Sequence, residues 1–242
     1  MKATMKTLTG TVALVTGAGR GIGAATAKLL AERGSTVVLA SRTAKEVEQI
    51  AAEIKKNGGS ALAYTCDVSD EQQVRALFQM LESQFGKLDI LINNAGAIVV
   101  KTITELSLRD WEHVFAANVR STFLCSRSAF PLLNKTKGCI VNVSSIGGLR
   151  GIEKFKGTSS YVAAKFAIVG LTEALAVEGK ELGIRVNCVA PGAVDTKMLR
   201  DALPNLKTNT TPADVAPTIV FLCEPQQSQP ISGAVIEIHS NL

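Results

Sequence analysis

Aromatic side chains and histidines are scarce in this 242-residue chain: aromatics make up 5%, and His113 and His239 are its two imidazoles. Two histidines cannot build a three-histidine metal site. A serine hydrolase would need one of them as its base, and the sequence has no G-x-S-x-G elbow to go with it. Cys66, Cys125, Cys139, Cys188 and Cys223 are odd in number and too widely spaced for paired zinc ligands. They point instead to a reducing, cytoplasmic compartment and a fold held by neither disulfides nor metal. No run has the length expected of a membrane span, and Met1 to Gly10 has no apolar signal core, so a soluble protein with no membrane partner is expected. Basic residues outnumber acidic ones, 26 to 21, but they are scattered and poorly supplied with aromatics, which argues against nucleic acid as a partner. No Pro/Ser-rich linker, charge block or repeat divides the chain.

What the chain does have is apolar material, 46% of its residues. A domain of this length buries roughly 70–75% of its unfolded surface, enough for a sheet covered on both faces. Short β-branched runs alternate with helical patterns. Strands are predicted at Val12–Thr16, Thr36–Ala40, Ala61–Cys66, Asp89–Asn93, Cys139–Val143, Ile184–Ala190 and Ala234–Ile238. Helices are predicted at Gly21–Arg33, Ala44–Lys56, Asp70–Phe85, Leu108–Leu133, Ser159–Glu181 and Thr211–Cys223. Parallel neighbours need long right-handed crossovers, so this alternation predicts an α/β fold: one domain over residues 1–242, built on a doubly wound, parallel, seven-stranded sheet of the Rossmann type.

The first strand runs straight into Thr16-Gly17-Ala18-Gly19-Arg20-Gly21-Ile22-Gly23, spaced G-x-x-x-G-x-G rather than the more widespread G-x-G-x-x-G. Glycines there let backbone approach a pyrophosphate, and the N-terminus of the next helix offers unpaired N–H groups and partial positive charge. Taken alone, such a turn also fits a purely structural role. No Gly-Lys-Ser/Thr follows it, which removes the P-loop reading. About 20 residues on, an acid at the end of the second strand would hold the ribose 2′-hydroxyl of NAD. This chain has Ala40-Ser41-Arg42-Thr43 instead. Ser41 and the forked guanidinium of Arg42 suit a 2′-phosphate, with Arg20 in support, so NADP is expected over NAD by roughly ten- to a hundredfold.

Tyr161 and Lys165 stand four apart on a helical pattern and share a face. An ammonium beside a phenol favours the phenolate, so Lys165 is expected to lower the pKa of Tyr161. The spacing is common on helix surfaces and gains meaning from its company: Asn93-Asn94-Ala95-Gly96 after the fourth strand, Asn118 in a long helix, and Asn142-Val143-Ser144-Ser145 ending the fifth. Thr16, Arg42, Asp67, Asn93, Ser145 and Pro191 all fall at or just past the C-terminal ends of predicted strands, the edge where open parallel sheets bind ligands.

With these motifs in this order, the chain resembles the short-chain dehydrogenase/reductase family from Thr11 to about Ile238. The resemblance implies that Gly17, Gly19, Gly21 and Gly23 bind the cofactor pyrophosphate, that Asp67 contacts the adenine, and that Arg20, Ile22 and Val68 also belong to the cofactor site. Asn93 supports the central strand, while Asn94, Ala95 and Gly96 flank the cofactor. Asn118 would position a water in a proton relay. Ser145, with Ser144 as second choice, would polarise a carbonyl, Tyr161 would act as general acid/base, and Lys165 would also bind the nicotinamide ribose. Pro191, Gly192 and Val194 would line the nicotinamide pocket. The implied activity is that of an NADP-dependent carbonyl reductase or alcohol dehydrogenase on a small molecule. A 3-oxoacyl-carrier-protein reductase is the main specific option, because basic charge suits an acidic carrier. The alternative of a different class is a dinucleotide-binding regulator or scaffold that has lost turnover.

Some features depart from the pattern. Ser145 and Tyr161 are 16 apart, more than usual, with a basic loop, Gly151 to Ser160, carrying Lys154 and Lys156 at the expected substrate entrance. The segment from Met198 to Thr211 is short for a lid, and Glu237–Leu242 lacks the Asp-Gly-Gly of many relatives. Trp111 and Phe115 are expected in the core, His113 on a polar helix face and His239 on the terminal surface. The helix from Tyr161 to Val177 is apolar nearly all round, which suggests a subunit interface, and the resemblance implies a tetramer or dimer built on it.

Overall fold

The structure, a computed structural model, describes residues 7–240. Met1–Lys6, within the segment expected to carry no signal core, and Asn241–Leu242, within the departing C-terminal end, lie outside the described residues.

Seven strands form one parallel sheet: β1 (Val12–Thr16), β2 (Thr36–Ser41), β3 (Ser60–Thr65), β4 (Ile90–Asn93), β5 (Cys139–Val143), β6 (Arg185–Pro191) and β7 (Val235–Ile238). Their order across the sheet is β3-β2-β1-β4-β5-β6-β7, so the strand order reverses between β1 and β4. Alternation along each strand sends its side chains to opposite faces. On β1, Ala13 and Val15 pack with α1 (Gly21–Glu32), α2 (Ala44–Lys56) and α8 (Pro212–Cys223). Val12 and Leu14 pack with α3 (Glu71–Phe85) and α5 (Ser121–Thr136). Both faces are covered, so β1, β4 and β5 are buried along their whole length and largely apolar. Helix ends follow local chemistry. Asp70 caps α3 by accepting from the Gln73 N–H, and Gly86 closes it in the left-handed conformation.

The predicted helix Leu108–Leu133 is interrupted. α4 (Leu108–Phe115) passes through one π-helical turn, Ala116–Arg120, before α5 resumes. The turn carries Asn118, whose Nδ2 donates at 2.8 Å to the Val114 carbonyl, the acceptor that a regular ladder would give to the Asn118 N–H, and at 2.8 Å to the Ala97 carbonyl in the loop after β4. Single π turns inside helices frequently mark functional sites. Trp111 and Phe115 are half-buried rather than in the core, stacked with ring centroids 4.6 Å apart. Two short helices not read from the sequence, α7 (Lys197–Ala202) and α9 (Pro225–Ser228), follow β6 and α8.

α6 (Ser159–Gly179) corrects the expectation that no run has the length of a membrane span. By length and composition it is long and apolar enough to cross a bilayer. Here it packs on β6 and on the short turn Ile146–Gly148, burying Ala164, Lys165, Ile168 and Thr172, while Val177 on its other side is 75% exposed. A buried lysine on its inward face fits a helix serving a polar site better than one immersed in lipid.

Candidate active site

The site lies where β1 and β4 diverge, the switch point at which open α/β sheets open a crevice. Thr16, at the end of β1, is buried, and its hydroxyl accepts from the backbone N–H groups of Asn94 and Ala95, both at 3.0 Å. Asn94 returns the contact, its Nδ2 donating to the carbonyls of Thr16 at 3.0 Å and Gly17 at 3.1 Å. These bonds fix the glycine-rich turn against the central strand. Gly17 and Gly21 have φ of 62° and 57°, a region that strains any residue with a Cβ. Gly23 stands behind the wall, because a Cβ there would come within 2.4 Å of the Gly17 carbonyl oxygen.

The turn forms one end of a cavity of about 380 Å³ that runs along the C-terminal edge of the sheet. Its wall contains Gly17, Gly19, Arg20, Gly21, Ile22, Ser41, Arg42, Asp67, Val68, Asn94, Ala95, Gly96, Asn118, Ser144, Ser145, Tyr161, Lys165, Pro191, Gly192 and Val194. Residues spread over 178 positions of sequence therefore share one wall, Gly23 being the expected cofactor residue that does not reach it. Asn93 turns away from the cavity. Its Nδ2 donates to Ser126 Oγ at 3.0 Å and to Asn142 Oδ1 at 2.9 Å, and Asn142 donates on to Thr172, locking β4 and β5 to α5 and α6.

At the adenosine end, burial alone would raise the carboxyl pKa of Asp67. Two hydrogen bonds from Ser69, at 2.9 and 2.7 Å, and the nearby Arg42 and Arg120 outweigh it and hold the group below the usual carboxylate range. At the other end Ser144 and Ser145 part ways. Ser144 is buried and its hydroxyl donates to the Lys165 carbonyl at 2.8 Å. Ser145 Oγ accepts from the Gly147 N–H at 3.1 Å and interacts with the Tyr161 phenol. Of the two, Ser145 is the one whose hydroxyl meets Tyr161.

Lys165 is 4% exposed and its Nζ donates to the Val143 carbonyl at 2.9 Å. Burial without a carboxylate partner lowers its pKa to about 8. Tyr161, half-buried, has its pKa pushed up to about 12 by burial, partly offset by Ser145. The expected lowering by Lys165 is not what this geometry gives. The ammonium sits 5.5 Å from the ring centroid and is itself disfavoured in its charged form, so desolvation of the phenol dominates. Asn118 Oδ1 is buried without a hydrogen-bond partner. A Cβ at Gly96 would lie 2.6 Å from that oxygen and 3.6 Å from Lys165 Nζ, so the two groups flank the same point. An orphaned acceptor beside an amine is where a bridging water fits.

Spacing alone did not reveal several wall residues. Glu46 lines the adenosine end, Thr196 faces Gly21, and His113, exposed as expected of a polar helix face, also borders the cavity. Ile98, Ile146, Phe155, Val162, Met198 and Leu203 make the substrate end apolar. The basic loop does reach the wall, through Glu153, Lys154 and Phe155. The C-terminal end reaches the site by another route: Ser240 Oγ accepts from the Ala193 N–H at 3.1 Å and packs against Gly192.

Gly148 has no sequence motif, yet it sets the distance between the Ser145 turn and α6. A Cβ there would lie 2.6 and 2.7 Å from the Lys165 carbonyl carbon and oxygen. Gly148→Ala is expected to push the turn and helix apart, destabilising the fold by about 1–3 kcal/mol. It should also lower kcat by about tenfold to a hundredfold with cofactor affinity unchanged. Urea unfolding and steady-state kinetics check both, and unchanged kcat would refute the spacing argument.

Comparison with known proteins agrees with this geometry. A family profile described as short chain dehydrogenase matches residues 11–207. A 3beta-hydroxysteroid dehydrogenase of Mediterraneibacter gnavus is 40% identical over 81% of this chain and 71% of its own. A 3-oxoacyl-[acyl-carrier-protein] reductase of Synechocystis sp. is 35% identical over 98% of this chain and 99% of its own. The crystal structure of a short-chain type dehydrogenase/reductase from Mycobacterium marinum superposes with a TM-score of 0.89, at 31% identity, covering 97% of this chain and 96% of that one. The chain belongs to the short-chain dehydrogenase/reductase family. It is an oxidoreductase with a single Rossmann-type domain, of a family that uses a nicotinamide cofactor.

Proposed function

We propose that this protein transfers a hydride between NADP and a carbonyl or secondary alcohol, with Tyr161 as general acid/base. The observation that carries the reading is the meeting of Asn118, Ser145, Tyr161 and Lys165 on one cavity wall that continues into the Gly17–Ile22 turn. The residues present fit a dinucleotide: the glycine turn lines one end of the cavity, the Asp67 carboxyl there is held below the usual carboxylate range, and an orphaned Asn118 oxygen stands at the other end. Bound nicotinamide supplies or accepts the hydride. As negative charge grows on the substrate oxygen, the Ser145 and Tyr161 hydroxyls donate to it, and Tyr161 delivers the proton. Lys165 Nζ and a water held by Asn118 Oδ1 return a proton towards the phenol.

The apolar substrate end favours a carbonyl carrying substantial hydrocarbon, in keeping with a relative named for a hydroxysteroid and another for an acyl-carrier thioester. We take 3-oxoacyl-carrier-protein reduction as the specific activity to assay first, alongside bulky ketones, following oxidation of each reduced nicotinamide. Failure to oxidise either reduced cofactor with any carbonyl in such a panel would overturn the reading.

Arg42, exposed at the adenosine end, makes no ion pair among the described residues and is free to meet a 2′-phosphate. A charge-assisted bond of about 1.5–3 kcal/mol corresponds to roughly ten- to a hundredfold in affinity. Arg42→Ala is expected to lose NADPH affinity by that factor while NADH binding stays within about threefold. Titration of both cofactors checks this, and equal losses for the two would rule out phosphate recognition at Arg42.

A further inference from the structure

At the adenosine end the wall carries one carboxylate besides Asp67. Glu46, three residues beyond the strand-end segment Ser41–Thr43, lies in the first turn of α2 and lines the cavity with Gly19, Arg20, Ser41 and Arg42. Its Oε1 accepts from Arg20 Nη1 at 3.0 Å. It also lies over the phosphate turn: a Cβ at Gly19 would come within 2.8 Å of Glu46 Oε2 and 3.4 Å of Ser41 Oγ. The two arginines of this end are therefore in different states. Arg42 has no ion-pair partner among the described residues, whereas Arg20 is held by an acid of the chain itself.

We propose that Glu46 is a specificity-determining residue that tempers the preference for a 2′-phosphate by occupying Arg20. A 2′-phosphate must take Arg20 from Glu46 and sit beside a like charge, whereas a ribose 2′-hydroxyl can donate to the carboxylate directly. The Arg20–Glu46 pair is exposed enough, with side chains 60% and 31% accessible, to open when the phosphate arrives. Glu46 thus supplies, from the following helix, the acid that the end of β2 lacks, and it keeps both cofactors within reach. This rests on the reading of the cavity as the nicotinamide cofactor site.

The test is titration of the full chain with NADPH and with NADH, followed by cofactor fluorescence, for the wild type, E46Q, R20Q and the double variant. E46Q is expected to raise the NADPH-to-NADH affinity ratio by about tenfold, and that gain is expected to fall below about threefold in the R20Q background. An unchanged ratio in E46Q overturns the proposal. So does an equal change for both cofactors, which would reduce Glu46 to a carboxylate favourable at a helix N-terminus. A full gain persisting without Arg20 also overturns it, since the carboxylate would then not act through that arginine. The wild-type ratio separately tests the NADP reading, so a chain preferring NADH would refute that preference and leave the Glu46 comparison intact. Binding of neither cofactor would end both.

Discussion

Tyr161→Phe is expected to lower turnover by about a hundredfold to ten-thousandfold, the usual contribution of a positioned general acid, while NADPH binding changes by less than about threefold. The substitution removes one oxygen and leaves the ring that faces Lys165 on α6. The phosphate turn, Asp67 and Asn94 all lie on other elements, so the grounds for cofactor affinity are untouched. The raised phenol pKa, about 12, gives the pH dependence its sign. Carbonyl reduction needs the protonated phenol, which persists through pH 7–9, whereas alcohol oxidation needs the phenolate and is expected to climb with pH. Parallel pH profiles in the two directions, or turnover surviving in the Phe variant, would remove Tyr161 from the proton-transfer role.

This prediction differs from the one that residue spacing suggests, and the difference shows where sequence reasoning runs out. Tyr161 and Lys165 share a helix face, and that much is legible from a separation of four. Whether the lysine lowers or the surroundings raise the phenol pKa depends on burial and on the 5.5 Å between Nζ and ring, neither of which periodicity encodes. The strands were legible because short, largely apolar runs alternate with longer helical patterns. The parallel sense of the sheet followed from its long crossovers while its strand order did not, and every expected cofactor residue but Gly23 reaches the wall. The π turn at Asn118 was not legible, since the stretch still looks helical and the side-chain bond to the Val114 carbonyl belongs to no sequence pattern. Gly148 and Glu46 escaped for a related reason. One acts through its distance to α6 and the other through a residue 26 positions away, so neither belongs to a local pattern.

Lys165→Met is expected to separate function from stability. Catalysis should fall by about a hundredfold or more, because the amine stands at the point shared by Gly96 and the unpartnered Asn118 oxygen, and a thioether can neither donate nor shuttle a proton there. Stability should move the other way near neutral pH. The folded-state pKa of Lys165 is about 8 against 10.5 for the free side chain, so the unfolded chain binds the extra proton between those values. Wild-type stability therefore carries its full penalty below pH 8 and rises by on the order of 3 kcal/mol as pH climbs towards 10.5. Above pH 10 the Tyr161 phenol works in the opposite sense, since unfolding then lets it ionise. Methionine fills nearly the same volume without the charge, and the Val143 carbonyl left without its donor returns about 1 kcal/mol of the gain. The variant is thus expected to be more stable than the wild type by about 2 kcal/mol at pH 7, with the advantage gone by about pH 10. Urea unfolding at intervals from pH 7 to 10 measures it. Stability curves that stay parallel would mean that the buried lysine titrates no differently in the folded and unfolded chains.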